Sequence, residues 1–180
     1  HWPESLDYAD KKVVVIGSGS TAVTLIPDIA REAEHVVMLQ RSPTYMASIP
    51  ETDWIATLLK KLLPEKTAYA ITRWKNIRFQ QFIYRQTRTK PQKIRKKILK
   101  MARTELGKGV DFEKHFVPRY DPWDQRLCLV PNNDFFHAVR DGRASVVTDT
   151  IDAFTKHGIR LESGEVLEAD VIVTATGLDL

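Results

Sequence analysis

The 180-residue sequence predicts an α/β fold: a domain with a parallel sheet, a β-hairpin or meander, and a helical insertion. Three observations predict it. An apolar, β-branched run, Lys12–Ile16 (KVVVI), runs into the glycine-rich turn Gly17-Ser18-Gly19-Ser20-Thr21-Ala22 and out onto a helical repeat. A stretch of helical periodicity at about 51–115 then interrupts the strands. Short strand-like segments around a turn signal close the chain.

Taken in order, Val23, Ile26, Ile29 and Ala30 recur at helical spacing, so a helix is expected to about Ala33. Pro27 inside it should sit near the first turn or cause a mild kink. His35–Leu39 is the next strand, which completes a β-α-β unit. Trp54 to Leu63, Ala68 to Arg88 and Pro91 to Leu106 are three amphipathic stretches. Pro91 suits a first helical turn, and Gly107 and Gly109 end the last helix. Phe116–Pro131 reads as an ordered loop. Asn133 is expected to cap a short helix, Asp134–Arg140, closed by Gly142. Strands are expected at Ala144–Val147, Ile151–Thr155, Gly158–Leu161 and Asp170–Thr174, with a hairpin turn at Glu162-Ser163-Gly164-Glu165.

Composition narrows the class. With 43% hydrophobic residues the chain is a folded, soluble type, and no apolar run is long enough to span a membrane. Neither a signal peptide nor an initiator Met is visible at His1-Trp2-Pro3, so a cytoplasmic piece of a longer protein is expected. Cys128 stands alone, which excludes a redox or zinc Cys-x-x-Cys pair. The five histidines (1, 35, 115, 137 and 157) have no metal-ligand spacing, and no metal is expected. The net charge of +4 hides a block: residues 60–108 hold sixteen Lys and Arg against Glu65 and Glu105, a charge of +14, leaving −10 elsewhere.

The glycine-rich turn has the pattern of a Rossmann dinucleotide site, Gly-x-Gly-x-x-Ala. Gly17 permits the tight turn, Gly19 lets a pyrophosphate approach the backbone, and Ala22 lets helix and strand pack closely. The helix N-terminus attracts phosphate, and Ser18, Ser20 and Thr21 offer hydroxyl donors. The residues after the second strand select the nucleotide. An NAD site carries a carboxylate there, but this sequence has Gln40-Arg41-Ser42. Arg41 can bind a 2′-phosphate through paired, charge-assisted bonds, so NADP(H) is the expected cofactor.

Five segments, HWPESLDY, VVVIGSGSTAVTL, VVMLQRSPTY, YDPWDQRLCLVPNNDFF and VIVTATGLDL, resemble the Baeyer–Villiger monooxygenase family of flavin-containing monooxygenases. Within it they resemble the branch of the ethionamide-activating monooxygenase. The resemblance covers almost the whole chain. Of the family fingerprint F-x-G-x-x-x-H-x-x-x-W-P only the tail, Trp2-Pro3, is present; the fingerprint histidine would lie three residues before His1.

The resemblance implies a layout. Residues 1–10 are a linker from an FAD domain that this chain lacks, and 11–180 are the NADP-binding domain, with the basic helical insertion at about 51–115. The Ala175-Thr176-Gly177 strand end adds to the cofactor site. Arg126 matches the family's catalytic arginine, which faces the flavin and stabilises a negatively charged peroxyflavin. Gln125 stands where many relatives place a 2′-phosphate-binding Lys, which leaves more of that task to Arg41. The reaction implied is oxygenation of a ketone, or of a sulfide, by molecular oxygen through a C4a-peroxyflavin. NADPH is the reductant and FAD belongs to the full-length protein. The isolated fragment is expected to be inactive, and the FAD domain of the same polypeptide is its expected partner.

Rival readings stay open at this point. Other two-dinucleotide flavoproteins, a disulfide reductase or an N- or S-hydroxylating monooxygenase, share such a domain. Arg126 can instead pair with Asp121 or Asp124, and Trp123 suits packing. Trp74, Phe79, Phe82 and Tyr84, interleaved with cations, raise a nucleic-acid or anionic-lipid module, or membrane association through the basic helices. The preferred reading has these aromatics packed inward, with no nucleic acid bound.

Overall fold

The computed structural model describes residues 6–177. Trp2-Pro3 and the Leu178-Asp179-Leu180 end, which carry part of the family resemblance, lie outside the described residues.

The chain folds as β1 (Lys12–Ile16), α1 (Ser20–Ile29), β2 (His35–Gln40), β3 (Tyr45–Ile49), α2 (Trp54–Leu62), α3 (Glu65–Thr89), α4 (Pro91–Leu106), α5 (Phe112–Phe116), β4 (Leu127–Pro131), α6 (Asp134–Arg140), β5 (Ala144–Thr148), β6 (Ile151–Thr155), β7 (Gly158–Leu161), β8 (Val166–Glu168) and β9 (Val171–Thr174). A four-stranded parallel sheet has the order β5-β2-β1-β9. Its central strands β1 and β2 are apolar and largely buried on both faces, while the edge strand β9 is partly exposed. Val13, Val15, Val36 and Met38 enter one core with α1, α4, α5 and α6. Val14 and Leu39 point the other way, into a second core with Ile159, Leu161 and Leu167 of the antiparallel meander β6-β7-β8. The period-two alternation of side chains thus puts helices on one face and the meander on the other. Burying each such side chain contributes roughly 1.5–3 kcal/mol.

Several expectations need correction. Helix α1 stops at Ile29, not Ala33, and Pro27 lies in its last turn, not its first. Pro27 has no N–H to give to the ladder, and past Ile29 the Arg31 and Glu32 amides turn to i→i−3 bonds with Asp28 and Ile29. The loop expected at Phe116–Pro131 contains the last residue of α5 and all of β4, which pairs in parallel with the unforeseen strand β3. The prolines at 118, 122 and 131 masked the short strand-like run Leu127–Val130. Asn133 precedes α6 but does not cap it with its side chain. It sits in the left-handed region (φ 64°), as does Asn132 (φ 47°), and the two turn the chain from β4 into α6. Its Oδ1 is buried without a hydrogen-bond partner.

The helical insertion is present, with α2, α3 and α4 close to the expected ranges. Asp53 caps α2, accepting from the Ile55 and Ala56 amides at 3.1 and 3.2 Å, and pairs with Lys75 of α3. The expected inward packing of the aromatics is not seen: Trp74, Phe79, Phe82 and Tyr84 are 67, 62, 56 and 55% exposed. Among the described residues of the 25-residue α3 only Ala68 and Thr87 are buried, so most of its apolar side chains stay exposed. No described helix is long and apolar enough to cross a membrane.

Candidate functional site

The strand order reverses direction at β1, with β2 and β5 to one side and β9 to the other. Open α/β sheets bind ligands in the crevice beyond the strand ends at such a point. A cleft of about 390 Å³ opens here, lined by Gly17, Ser18, Gln40, Arg41, Ser42, Arg126 and Thr176 among others. Sequence reasoning had chosen these residues from four separate segments, and the fold brings them to one opening.

Gly17 shows why its type is required. Its φ is +128°, and a Cβ would stand 2.4 Å from the Ala175 carbonyl oxygen. That close approach is how the Ala175-Thr176-Gly177 end of β9 joins the glycine-rich turn; the Ala175 amide donates to Ile16 O at 2.8 Å. Gly19 is extended (φ −80°, ψ −178°) and caps α1 with no side-chain bond. The amides of Ser20, Thr21 and Ala22 head the helix without intrahelical partners, and no acidic residue occupies the first turn. Ser20 and Thr21 are exposed, while Ala22 is fully buried and packs between helix and sheet as expected. Such a helix start suits an anion.

Two hydroxyl and amide assignments change. Ser18 is 5% exposed and its Oγ hydrogen-bonds Thr44 Oγ1 at 3.0 Å, so it braces the turn and is not a free donor. Gln40 is 1% exposed. Its Nε2 donates to His115 O at 2.8 Å and to Thr148 Oγ1 at 2.9 Å, which ties β2 to α5 and β5. Gln40 shares the inward parity of Val36 and Met38, so strand alternation carries a signal that it points away from the ligand. Arg41 and Ser42 follow the strand and are exposed.

Asp149, Thr150 and Ile151 also line the cleft and were not foreseen. They belong there because β5 lies beside β2, a pairing that sequence spacing does not reveal. The Asp149 carboxyl is held below the usual carboxylate range by hydrogen bonds from Ser163 and from the Thr150 amide.

Arg126 is exposed, and its guanidinium lies beside Gly19: a Cβ there would stand 3.7 Å from Nη1. The carboxylates that might have claimed it are engaged elsewhere. Asp124 pairs with Arg88 at 2.6 Å, and Asp121 accepts from Gln92 Nε2 at 2.9 Å. Among the described residues Arg126 makes no ion pair within 4.0 Å. Gln125 is exposed next to it, but the cleft lining does not include it. Trp123 is not core: it is 43% exposed, has φ 71°, and meets Tyr84 of α3 edge-on with ring centroids 6.3 Å apart.

The lone Cys128 is buried and free, and burial pushes its thiol up. Its Sγ contacts Ser18 O at 3.5 Å. A buried, protonated thiol in this place is a packing group, not a redox centre.

No family model matches the chain. It is 56% identical over 181 aligned residues to "FAD-containing monooxygenase EthA" of Mycobacterium tuberculosis, covering 100% of this chain and 37% of that protein. It is 54% identical, again over its whole length, to "Probable FAD-binding monooxygenase AlmA" of Acinetobacter baylyi, covering 36% of it. The chain therefore spans little more than a third of the curated relatives it matches, and over that span it is homologous to FAD-containing monooxygenases. Among solved structures, the complex of OTEMO with FAD and NADP superposes with a TM-score of 0.73 at 18% identity, covering 98% of this chain and 40% of that one. At that identity the likeness shows the fold, which is shared with a segment of a Baeyer–Villiger monooxygenase.

Proposed function

We propose that this chain is the NADP(H)-binding domain of an FAD-dependent monooxygenase that oxygenates ketones or sulfides. The observation that carries the reading is the cleft at the β1 switch point, where the turn at Gly17-Ser18, the exposed Arg41 and Arg126 face one opening. The residues fit the nucleotide. Gly17 needs its missing side chain to let Ala175 approach, and Gly19 leaves space where phosphate would meet the backbone. Ser20, Thr21 and Ala22 supply unpaired amides, and Arg41 with Ser42 supplies donors for a 2′-phosphate. The solved structure matched above is described with NADP bound, which supports the assignment.

When bound, NADPH supplies hydride and FAD the oxygen-activating chemistry. This domain's part is to bind and orient the nicotinamide nucleotide and to offer Arg126 as a fixed cation at the mouth of the cleft. A cation that cannot titrate away stabilises negative charge developing beside it. The sequence holds no second Gly-x-Gly-x-x-Gly, so FAD, the organic substrate and oxygen are assigned to the remainder of a longer polypeptide. Titration of the chain with NADPH and NADH tests the reading. NADPH should bind at least about tenfold more tightly, since a charged hydrogen bond contributes roughly 1.5–3 kcal/mol. Equal affinities would remove the assignment.

The exposed aromatics of α2 and α3, set among Lys60, Lys61, Lys66, Arg73 and Arg78, favour a second reading for that face alone. Amphipathic helices with aromatic and cationic side chains bind the surface of an anionic membrane. Salt-sensitive cosedimentation with phosphatidylserine vesicles, absent with phosphatidylcholine, supports that contact. Binding to DNA instead, or to neither, removes it.

A further inference from the structure

The segment 120–126 ends in Arg126, and side chains from the helical insertion hold it from one side. Arg88 of α3 pairs with Asp124 at 2.6 Å. Gln92 of α4 donates to Asp121 at 2.9 Å. One turn further along α4, Arg95 Nη1 donates to Tyr120 O at 3.0 Å and to the hydroxyl of Tyr45 at 2.5 Å. Tyr45 is fully buried, donates in turn to Tyr120 O at 2.6 Å, and packs edge-on against the Tyr120 ring. The Tyr120 hydroxyl then donates to the Arg126 carbonyl at 2.9 Å. Tyr84 meets Trp123, whose left-handed backbone needs such support.

This arrangement does two things to Arg126. It engages Asp124 with Arg88 and Asp121 with Gln92, and Arg126 makes no ion pair with either carboxylate. It also fixes the backbone from which the guanidinium reaches Gly19. We propose that the insertion is a positioning device for Arg126, in which Arg95 and Tyr120 hold the loop so that the guanidinium faces the phosphate cradle of the bound nucleotide. Neither residue lines the cleft, so each acts through Arg126. The proposal rests on the NADP(H) reading.

A double-mutant cycle on NADPH affinity tests it, using the whole chain and confirming the fold of each variant by near-ultraviolet circular dichroism. Arg126→Ala should weaken binding about tenfold. Tyr120→Phe, which deletes one hydroxyl, should weaken it about three- to tenfold in the Arg126 chain and leave it unchanged in the Arg126→Ala chain. Arg95→Lys, which retains the charge but shortens and re-aims the donor that Nη1 gives to both oxygens, should behave as Tyr120→Phe does and provides a second variant if the first does not fold. A purely structural role for Tyr120 would lower affinity equally in both backgrounds, and that result overturns the proposal. So does full affinity in both Tyr120→Phe and Arg95→Lys, or an Arg126→Ala chain that binds as well as the parent. If the parent chain binds no NADPH, the NADP(H) reading falls first and takes the proposal with it.

Discussion

The guanidinium of Arg126 lies against Gly19, with Nη1 3.7 Å from where a Cβ would stand, although 107 positions separate the two residues in the chain. A Cβ at Gly19 would meet the guanidinium at ordinary van der Waals spacing, so a methyl group there would not strain the turn. The approach also means that the cation and the helix start of α1 address the same space.

The two glycines of the turn should therefore respond differently to a methyl group. Gly17→Ala places a Cβ 2.4 Å from a backbone carbonyl at φ +128°, and should destabilise the fold by at least about 1–3 kcal/mol. Gly19→Ala meets only the end of a side chain at an extended backbone, so stability should hold while NADPH affinity falls at least about tenfold. Urea melts paired with nucleotide titrations separate the two effects. A Gly19→Ala chain that binds like the parent would remove Gly19 from the phosphate site.

His115 should give the stability a pH dependence. Burial, with Lys114 adding and Asp111 opposing, pushes its imidazole below the ordinary value of 6.5. Thr148 Oγ1, which accepts from Gln40 Nε2, lies 2.8 Å from His115 Nδ1, and a neutral ring with Nδ1 unprotonated accepts the hydroxyl proton there. A protonated ring cannot accept that bond. The unfolded chain takes up a proton first, so stability should fall as pH drops through about 6.5 and level off below the lowered folded value. Denaturant melts from pH 8 to pH 5 should show this slope, and His115→Asn should flatten it. An unchanged slope in the variant would assign the effect to another group.

Asp53 should matter to the insertion although it is only half-buried. The Lys75 hydrogen bond first, and then the Ala56 amide, hold its carboxyl below the usual carboxylate range. Its contribution is present above the unfolded value near 3.8 and is lost as pH falls through the lowered folded value. Asp53→Ala removes both the cap of α2 and the tie to α3, and should cost about 1 kcal/mol in denaturant unfolding at neutral pH. Faster amide exchange in α2 with little change in β1 or β2 would mark the loss as local.

Much of the parallel sheet and the long helices was legible because periodicity is a local signal. Lys12–Ile16, His35–Leu39 and the three insertion helices announced themselves. The β3–β4 pair was not legible, because Tyr45 and Leu127 become partners only through the fold, across the whole insertion. Asp149 and Ile151 joined the cleft for a similar reason, through the β2–β5 pairing. Gln40 lines the cleft, but its side-chain amide bonds inward, following a strand alternation that its place beside Arg41 outweighed. The aromatics of α3 were expected inside on the general rule for apolar residues. That rule presumes a facing surface, and among the described residues nothing covers Trp74 and Phe79, which stay 67 and 62% exposed.

The most direct test of the account is a four-way titration: the parent chain and Arg41→Ala, each with NADPH and with NADH. The account predicts that Arg41→Ala lowers NADPH affinity at least about tenfold while NADH affinity shifts less than about twofold, which isolates the 2′-phosphate as the partner of Arg41. Equal losses for the two nucleotides, or none for either, would contradict it.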